Sequence, residues 1–330
     1  MKLDTKVDII PFNQFWTFCT LSDMLSILIS KEPSYYAAAV INSYYYTVRG
    51  TDAWWRDLQI NWNKDFLKSI YDLFSITKVR IERHNVIQRL KMLINDNEKV
   101  HVNVDVYGIK NRVDYQLKHV EHHILMTGYN DDKKIFYFLL DTMSGYGENE
   151  ISFDGLMNAM VFTDDFAYVD LYRTKDPLPI YRINFQEVFE YADIQLKCLS
   201  KLSYMQIYSS SLYSREDTSY VFIILTKVVE RQKANKCFFQ HLIVIDYLSQ
   251  NVGKDLIRIS SELEHLWKEV RSIFMKSFYR NKEPDYDRVN FLVHQCILTE
   301  HNLWSAFISS IMVSDKPRSY PLANYTERNS

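Results

Sequence analysis

The first half of the chain contains a cysteine, two histidines and an aspartate whose order suits nucleophilic catalysis. Cys19 directly precedes a run with helical periodicity. His122 and His123 come just before one short apolar run, and Asp141 follows the next apolar run. A thiol beside a histidine, whose ring is oriented by a carboxylate, is a nucleophile for acyl transfer. This order predicts a covalent site made of Cys19, His122 and Asp141.

A helix and a hairpin must position these residues. From Cys19 onward, apolar residues recur at helical spacing, at Leu21, Met24, Leu25, Leu28 and Ile29. The two apolar runs, 124–127 and 135–140, flank a polar turn at 130–134, which predicts a β-hairpin. A cysteine at the start of a helix lies beside unpaired N–H groups and the positive end of the helix dipole. Both features favour the thiolate, so we expect a lowered pKa for Cys19.

Other interpretations of these residues stay open. A lone buried thiol is more often structural than catalytic. His123 is an alternative base, because neighbouring residues on a strand point to opposite faces and only one of the pair can meet Cys19. A metal site made of His119, Glu121, His122 and His123 is disfavoured, since a strand cannot converge such close ligands on one side. We therefore expect no metal and no cofactor.

The predicted elements run from helices to strands and back to helices. Residues 33–95 show mostly helical patterns, and strands are predicted at 7–12, 100–108 and 166–173. After two prolines in the segment 175–183, long helices are predicted at 184–214 and 218–249, followed by two further amphipathic helices. This order predicts an α+β fold, with a sheet-bearing catalytic domain over 1–176 and an all-α helical domain over 177–330. The aromatic runs at 44–46 and 54–55 are candidates for a substrate pocket or, more simply, for core packing.

Composition restricts the classes of function. The net charge of −2 gives no indication of nucleic-acid binding. The four cysteines are far apart and form no CxxC pair, so a zinc ribbon or dithiol redox motif is not indicated, and a reducing cytoplasm fits them. No apolar run approaches the length of a membrane span, and the first residues contain no signal-peptide core. We expect a cytoplasmic protein.

The spacing around the histidine resembles the papain-like cysteine peptidase fold. In that family the catalytic histidine is followed six residues later by glycine and an aromatic residue, as His122 is followed by Gly128 and Tyr129. The orienting residue of the family stands at the end of the next strand, where Asp141 stands here. This resemblance implies an amino-terminal helix that carries Cys19 and an antiparallel sheet that carries the other two residues.

The resemblance also implies an oxyanion hole and a reaction. The family has a glutamine a few residues before the cysteine, and Gln14 or Asn13 could supply that side-chain amide. The Gly and Trp residues that papain-like peptidases carry around the cysteine are missing here, where the sequence is Trp-Thr-Phe-Cys-Thr-Leu. Size and layout are closer to papain-like proteins of nonribosomal natural-product pathways, similar to the butirosin acyltransferase and the amide synthase of closthioamide assembly.

Proteins of that group take an acyl group from a carrier-protein thioester and pass it to an amine. The resemblance therefore implies an acyltransferase that forms an amide bond, with an acyl-loaded carrier protein and a small amine as partners. Neither nucleic acid nor a membrane is expected as a partner. Two alternatives remain: a cysteine peptidase or amidase of the same fold, and a non-catalytic scaffold protein.

Overall fold

The chain was analysed in a computed structural model that describes residues 4–15, 17–41, 45–48, 58–61, 64–110, 112, 115–142, 145–203 and 215–312. Its contacts divide the chain into two compact units. The first contains Met1–Tyr36 and Leu67–Tyr181, and the second contains Ala37–Phe66 and Arg182–Ser330. Each unit therefore consists of two separate segments of the chain. The sequence predicts a single domain boundary after residue 176, and that boundary stays a prediction.

The elements are numbered here in chain order. The strands of the described residues are β1 (Asp4–Lys6), β2 (Tyr45–Val48), β3 (Leu58–Asn61), β4 (Phe74–Glu82), β5 (Val100–Asp105), β6 (Glu121–Asn130), β7 (Ile135–Thr142), β8 (Gly145–Ser152) and β9 (Phe166–Thr174). The α-helices are α1 (Cys19–Lys31), α2 (Tyr35–Ile41), α3 (Lys64–Tyr71), α4 (Val86–Asn95), α5 (Phe153–Ala159), α6 (Phe185–Ser203), α7 (Arg215–Val244), α8 (Gln250–Arg280) and α9 (Tyr286–Met312).

An antiparallel sheet forms the centre of the first unit. Its strand order is β4-β9-β5-β6-β7-β8, and β1 pairs with the end of β6. On one face, alternate residues of β5, β6, β7 and β9 form an apolar core with α4 and α5. Helix α1 lies on the other face, because His101, which alternates with the core residues Val100 and Val102, has its Nε2 3.7 Å from Asp23 Oδ2 of α1.

Gly128 is required by the way β1 passes over β6. Lys6 pairs with Gly128, and the β6–β7 register shifts between Met126 and Gly128. A Cβ atom at position 128 would lie 2.3 Å from the carbonyl oxygen of Thr5, closer than real Cβ contacts. Only glycine allows two backbones to approach so closely.

The second unit contains the β2–β3 hairpin and the helices α6–α9. A buried polar network crosses these helices. Arg231 donates to Glu300 Oε1, to the Tyr191 hydroxyl and to Gln195 Oε1, each at 3.0 Å, and Gln232 donates to the other Glu300 oxygen at 2.8 Å. Arg231 and Glu300 are fully buried, so each charge is stabilised by the other and by hydrogen bonds with the neutral partners.

Several predictions of secondary structure are confirmed. Helix α1 begins at Cys19, the hairpin forms as β6 and β7, and long helices follow residue 184. The mixed α+β class, with an antiparallel sheet and a helical carboxyl-terminal region, is therefore correct. In addition, no helix among the described residues is both long and apolar enough to cross a membrane.

Other predictions of secondary structure are wrong. The helical prediction for 33–95 missed strands β2, β3 and β4, which the described part of this range contains together with α2, α3 and α4. The first strand is Asp4–Lys6 and not 7–12. Its residues are polar, and they form a strand because they pair with β6. Strand β8, rich in Gly and Glu, forms in the same way against β7. The aromatic runs at 44–46 and 54–55 lie outside the part of the chain whose side chains are described.

Candidate active site

Helix α1 places Cys19 at its first residue. Phe18, the residue before it, is extended (ψ 148°) and provides no side-chain cap. Leu21, Met24 and Leu25 fix the helix, because their side chains are fully buried. The first N–H groups of an α-helix have no acceptor within the helix. The amide of Cys19 is one of these groups, and it lies beside its own thiol.

His122 contacts this thiol directly. Its Nε2 lies 2.8 Å from Cys19 Sγ, across 103 residues of sequence. The ring is positioned by β6, whose second residue is His122 and whose pairing with β5 sets it opposite Val104. His123, the alternative base, pairs with Asn103 and is exposed. The structure therefore brings together the cysteine and the first histidine of the pair.

The second ring nitrogen fixes the tautomer of His122. Nδ1 lies 2.7 Å from the main-chain carbonyl oxygen of His123, which can only accept a hydrogen bond. Nδ1 therefore carries the proton of the neutral ring, and Nε2 presents its lone pair to the thiol. In this state the Cys19 S–H donates to Nε2, which is the arrangement that general-base activation needs.

Asp141 lies near the pair, and its charge acts on the ring. It is the penultimate residue of β7, and its main-chain oxygen accepts a 2.6 Å hydrogen bond from Arg112 Nη1. The carboxylate favours the protonated imidazole and so works to raise the pKa of His122. The hydrogen bond of Nδ1 goes to a main-chain carbonyl, whereas the family pattern gives it to the side chain of Asp141. The orienting role of Asp141 therefore stays a prediction.

The electrostatics oppose a resting thiolate. Burial raises the pKa of Cys19 from an ordinary 9.0 to about 12, and the carboxylates of Asp23 and Asp141 add to the rise. The Arg112 guanidinium acts in the opposite direction, but burial outweighs it. The lowered pKa expected from the helix start is therefore wrong, because the dipole is weaker than desolvation together with two nearby carboxylates.

Burial also disfavours charge on His122. It lowers the pKa of the ring, and the positive charge of Arg112 lowers it further, although the hydrogen bond to His123 and the Asp141 carboxylate oppose this. Both partners therefore rest in their neutral forms. Proton transfer from Cys19 to His122 must then occur as the nucleophile attacks.

Sequence reasoning missed a buried polar cluster beside this pair. Asp23 Oδ1 accepts a hydrogen bond from the Tyr146 hydroxyl of β8, while Asp23 Oδ2 makes none and faces His101 Nε2 at 3.7 Å. Burial raises the pKa of Asp23 well above its usual range and lowers that of His101 to about 3. One signal was readable, because Asp23 stands four residues after Cys19 and therefore lies on the same face of α1.

Arg112 was also missed, and the role of Asn13 or Gln14 as an oxyanion donor stays a prediction. Asn13 and Gln14 are exposed in the segment that precedes α1. The amide of Cys19 is the backbone donor that lies beside the thiol. Arg112 precedes the strand that carries His122 and lies in a polar stretch without a recognisable motif, so no pattern marked it as a site residue.

Metal ligands are not clustered among the described residues: no group of three or more His, Cys, Asp or Glu side chains there could hold an ion. His119, part of the disfavoured metal interpretation, has its Nδ1 2.5 Å from Asp105 Oδ2 and its ring stacked on Tyr107.

Comparison with known proteins gives no assignment for the chain. No protein-family model matches it, and no curated protein matches it. The functional argument therefore depends on the geometry around Cys19.

Proposed function

We propose that the chain is a cysteine acyltransferase that forms amide bonds. It takes an acyl group from a carrier-protein thioester onto Cys19 and passes that group to a small amine, as in nonribosomal natural-product biosynthesis. The observation that supports this proposal is the 2.8 Å separation between Cys19 Sγ and His122 Nε2. A thiol in hydrogen-bond reach of a tautomerically fixed imidazole is the arrangement used for covalent acyl transfer.

The first half-reaction loads the enzyme. The Cys19 proton moves to His122 Nε2 as sulfur bonds to the thioester carbon. The tetrahedral intermediate places a negative charge on oxygen, which the amides at the start of α1 stabilise by about 3 kcal/mol per donor. The carbon–sulfur bond to the carrier then breaks, and the carrier thiolate takes the proton from Nε2. The products are acyl-Cys19 and the free carrier thiol.

The second half-reaction releases the amide. The amine attacks the acyl carbon and gives a proton to Nε2, and the carbon–nitrogen bond forms. The bond to Cys19 then breaks, and the sulfur takes the proton back from the imidazolium. Water would follow the same path, giving a hydrolase of the peptidase or amidase type. Selection of amine over water depends on binding of the amine and on limited access of solvent.

Intact-protein mass spectrometry tests this proposal. Incubation with an acyl-loaded carrier protein or a small acyl thioester is expected to add one acyl group, which peptide mapping places on Cys19. A primary amine should remove that group and yield an amide faster than water removes it. Cys19→Ala should abolish the adduct. Cys198→Ala is the matched control and should retain it, because Cys198 is a similarly half-buried thiol in the second unit.

The outcomes separate the alternatives. Rapid release of free acid, insensitive to amine, would assign hydrolysis instead of transfer. Absence of any adduct with thioesters and with peptide substrates would leave a non-catalytic scaffold and overturn the proposal.

A further inference from the structure

A fully buried carboxyl group lies one helical turn after the nucleophile. Asp23 is 1% exposed and stands four residues after Cys19, on the same face of α1. Its Oδ1 accepts a hydrogen bond from the Tyr146 hydroxyl, whereas its Oδ2 has no hydrogen-bond partner among the described residues. That second oxygen faces His101 Nε2 at 3.7 Å. Only a small rotation of the side chains separates these two atoms from a hydrogen bond.

His101 is buried to the same degree. It is 1% exposed, and its ring stacks on Tyr172 with a centroid distance of 3.9 Å. In the part of the chain that the structure describes, neither of its ring nitrogens makes a hydrogen bond. A buried polar atom without a partner is costly, so Asp23 and His101 each offer the partner that the other needs.

The charge state of the pair follows from this burial. A lone Asp23 carboxylate would have one neutral donor, the Tyr146 hydroxyl, and a carboxylate–imidazolium pair would bury two charges. A neutral acid beside a neutral imidazole buries no charge and satisfies both facing atoms with one O–H···N hydrogen bond. Burial acts in this direction on both groups, since it raises the pKa of Asp23 well above its usual range and lowers the pKa of His101 to about 3.

Among the described residues, Asp23 forms no salt bridge with a lysine or an arginine. Lys99, two residues before His101 on β5, donates to Asn97 at 2.8 Å, and Arg112 donates to the main chain of β7. The other titratable groups that face the pair are Tyr146 of β8, Tyr172 and Asp170 of β9, His123 of β6 and Cys19 of α1. None of these groups carries a permanent positive charge, so none compensates an Asp23 carboxylate.

Asp23 also joins α1 to the strands on either side of the reactive pair. In the sheet order, β6 and β7 lie between β5 and β8. Asp23 faces β5 at His101 and bonds to β8 at Tyr146. The two strands between them carry His122 and Asp141. Because the start of α1 has no side-chain cap, these polar contacts of Asp23 hold its first turn, and with it the thiol, beside His122.

We infer that Asp23 is an uncharged carboxylic acid whose Oδ2–H donates to His101 Nε2, and that this contact positions Cys19 for attack on the thioester. The place of the proton rests on the buried pair alone, whereas the positioning role rests on the proposed function. An ionised Asp23 raises the pKa of Cys19, so the neutral acid keeps an opposing charge away from the nucleophile. Burial, the largest cause of the raised pKa of Cys19, is unaffected.

Iodoacetamide labelling of Cys19 at pH 7 measures the charge of Asp23 without any enzymatic substrate. Asp23→Asn has the same shape, and its amide can donate to His101 and accept from Tyr146. Because a neutral acid and an amide exert the same charge on the thiol, labelling should stay within about twofold of the unaltered chain. Asp141→Asn is the matched control. It removes a half-buried carboxylate that also acts on Cys19, so it should label about three- to tenfold faster.

Infrared difference spectroscopy detects the proton itself. The spectrum of the unaltered chain minus that of Asp23→Asn at pH 7 should contain the carbonyl band of a protonated carboxyl group. His101→Phe keeps a ring against Tyr172 but removes the acceptor. In that variant the band should move to higher frequency, because the acid loses its hydrogen bond.

Single-turnover acylation of Cys19 by an N-acetylcysteamine thioester tests the positioning. Asp23→Ala and His101→Phe should each lower the acylation rate at saturating thioester about 10- to 100-fold, with little change in the half-saturating concentration. Asp23→Asn, which conserves the contact, should restore most of the rate. Leu28→Ala controls for truncation, because it removes a fully buried side chain from the same helix without touching the pair, and it should keep the rate.

The results distinguish failure of this inference from failure of the proposed function. Labelling of Asp23→Asn as fast as that of Asp141→Asn, or absence of the carboxyl band, overturns the neutral acid. Unaltered acylation in both Asp23→Ala and His101→Phe overturns the positioning role, as does a loss in Leu28→Ala equal to theirs. Absence of acylation of the unaltered chain by every thioester overturns the proposed function and the positioning role with it, while labelling and the infrared band still decide the place of the proton.

Discussion

Alkylation of Cys19 should be slow at neutral pH and should accelerate as the pH rises far into the alkaline range. Iodoacetamide, the alkylating reagent, reacts with the thiolate. Burial raises the pKa of the Cys19 thiol from 9.0 to about 12. A difference of about three pKa units makes the thiolate about a thousand times rarer at neutral pH than in an ordinary cysteine. The rate constant should therefore rise about tenfold per pH unit without a plateau below pH 10.

The assay is pulse labelling with iodoacetamide, quantified by mass spectrometry of the peptide that contains Cys19. Cys198 and Cys237 are half-buried thiols of the same chain and report on reagent quality and on unfolding at high pH. Replacement of Arg112 by Met should slow labelling further, because its charge favours the thiolate. Arg112→Lys keeps that charge and serves as the control.

A labelling rate that is already constant between pH 5 and 7 would refute this reasoning. Such a rate would show that Cys19 and His122 rest as a thiolate–imidazolium pair. Burial would then not be the main influence on the pKa of Cys19.

Three further predictions follow from the described residues. The acidic limb of kcat/KM should have its midpoint below pH 6.5, because burial lowers the pKa of His122 and the neutral base persists to lower pH; a pH series of turnover measures it. Asp23→Asn should keep the fold and gain stability relative to the unaltered chain as the pH rises above about 4, since a raised pKa means that the stabilising contribution of neutral Asp23 is lost as the pH rises; urea unfolding at pH 4 and 8 measures it. Arg231→Met should cost about 3–5 kcal/mol, because it leaves buried Glu300 without its cation; urea unfolding with an unchanged m-value measures it.

Each prediction has a result that contradicts it. A midpoint of the acidic limb above pH 6.5 would contradict the lowered pKa of His122. A pH-independent stability difference for Asp23→Asn would mean that the carboxyl does not titrate differently in the fold. A loss below about 1 kcal/mol for Arg231→Met would mean that water or another side chain replaces the guanidinium.

The helix that carries Cys19 and the hairpin that carries His122 could be predicted because their signals are local. Helical periodicity fixed the start of α1, and β-branched and aromatic residues on either side of a polar turn fixed the hairpin. What brings the two together is the packing of α1 on β6 and β7, which the resemblance to a known fold supplied.

The parts that sequence reasoning missed depend on long-range pairing. Strands β1 and β8 have polar sequences, so no hydrophobic pattern marks them, and they form because β6 and β7 offer partners. Strand β4 had a readable signal in the alternation of Val79 and Ile81, but neighbouring helical patterns obscured it. The partners of Asp23 lie on β5 and β8, which no local rule connects to α1.

Gly128, which belongs to the histidine motif, is also required by the packing of the first strand. The glycine six residues after His122 is demanded by the backbone of Thr5, since even a methyl group there would collide with that carbonyl oxygen. The spacing is thus a marker of how the amino-terminal strand crosses the histidine strand. A side chain at position 128 would therefore displace the first strand, and the chemistry at Cys19 would be affected only after that displacement.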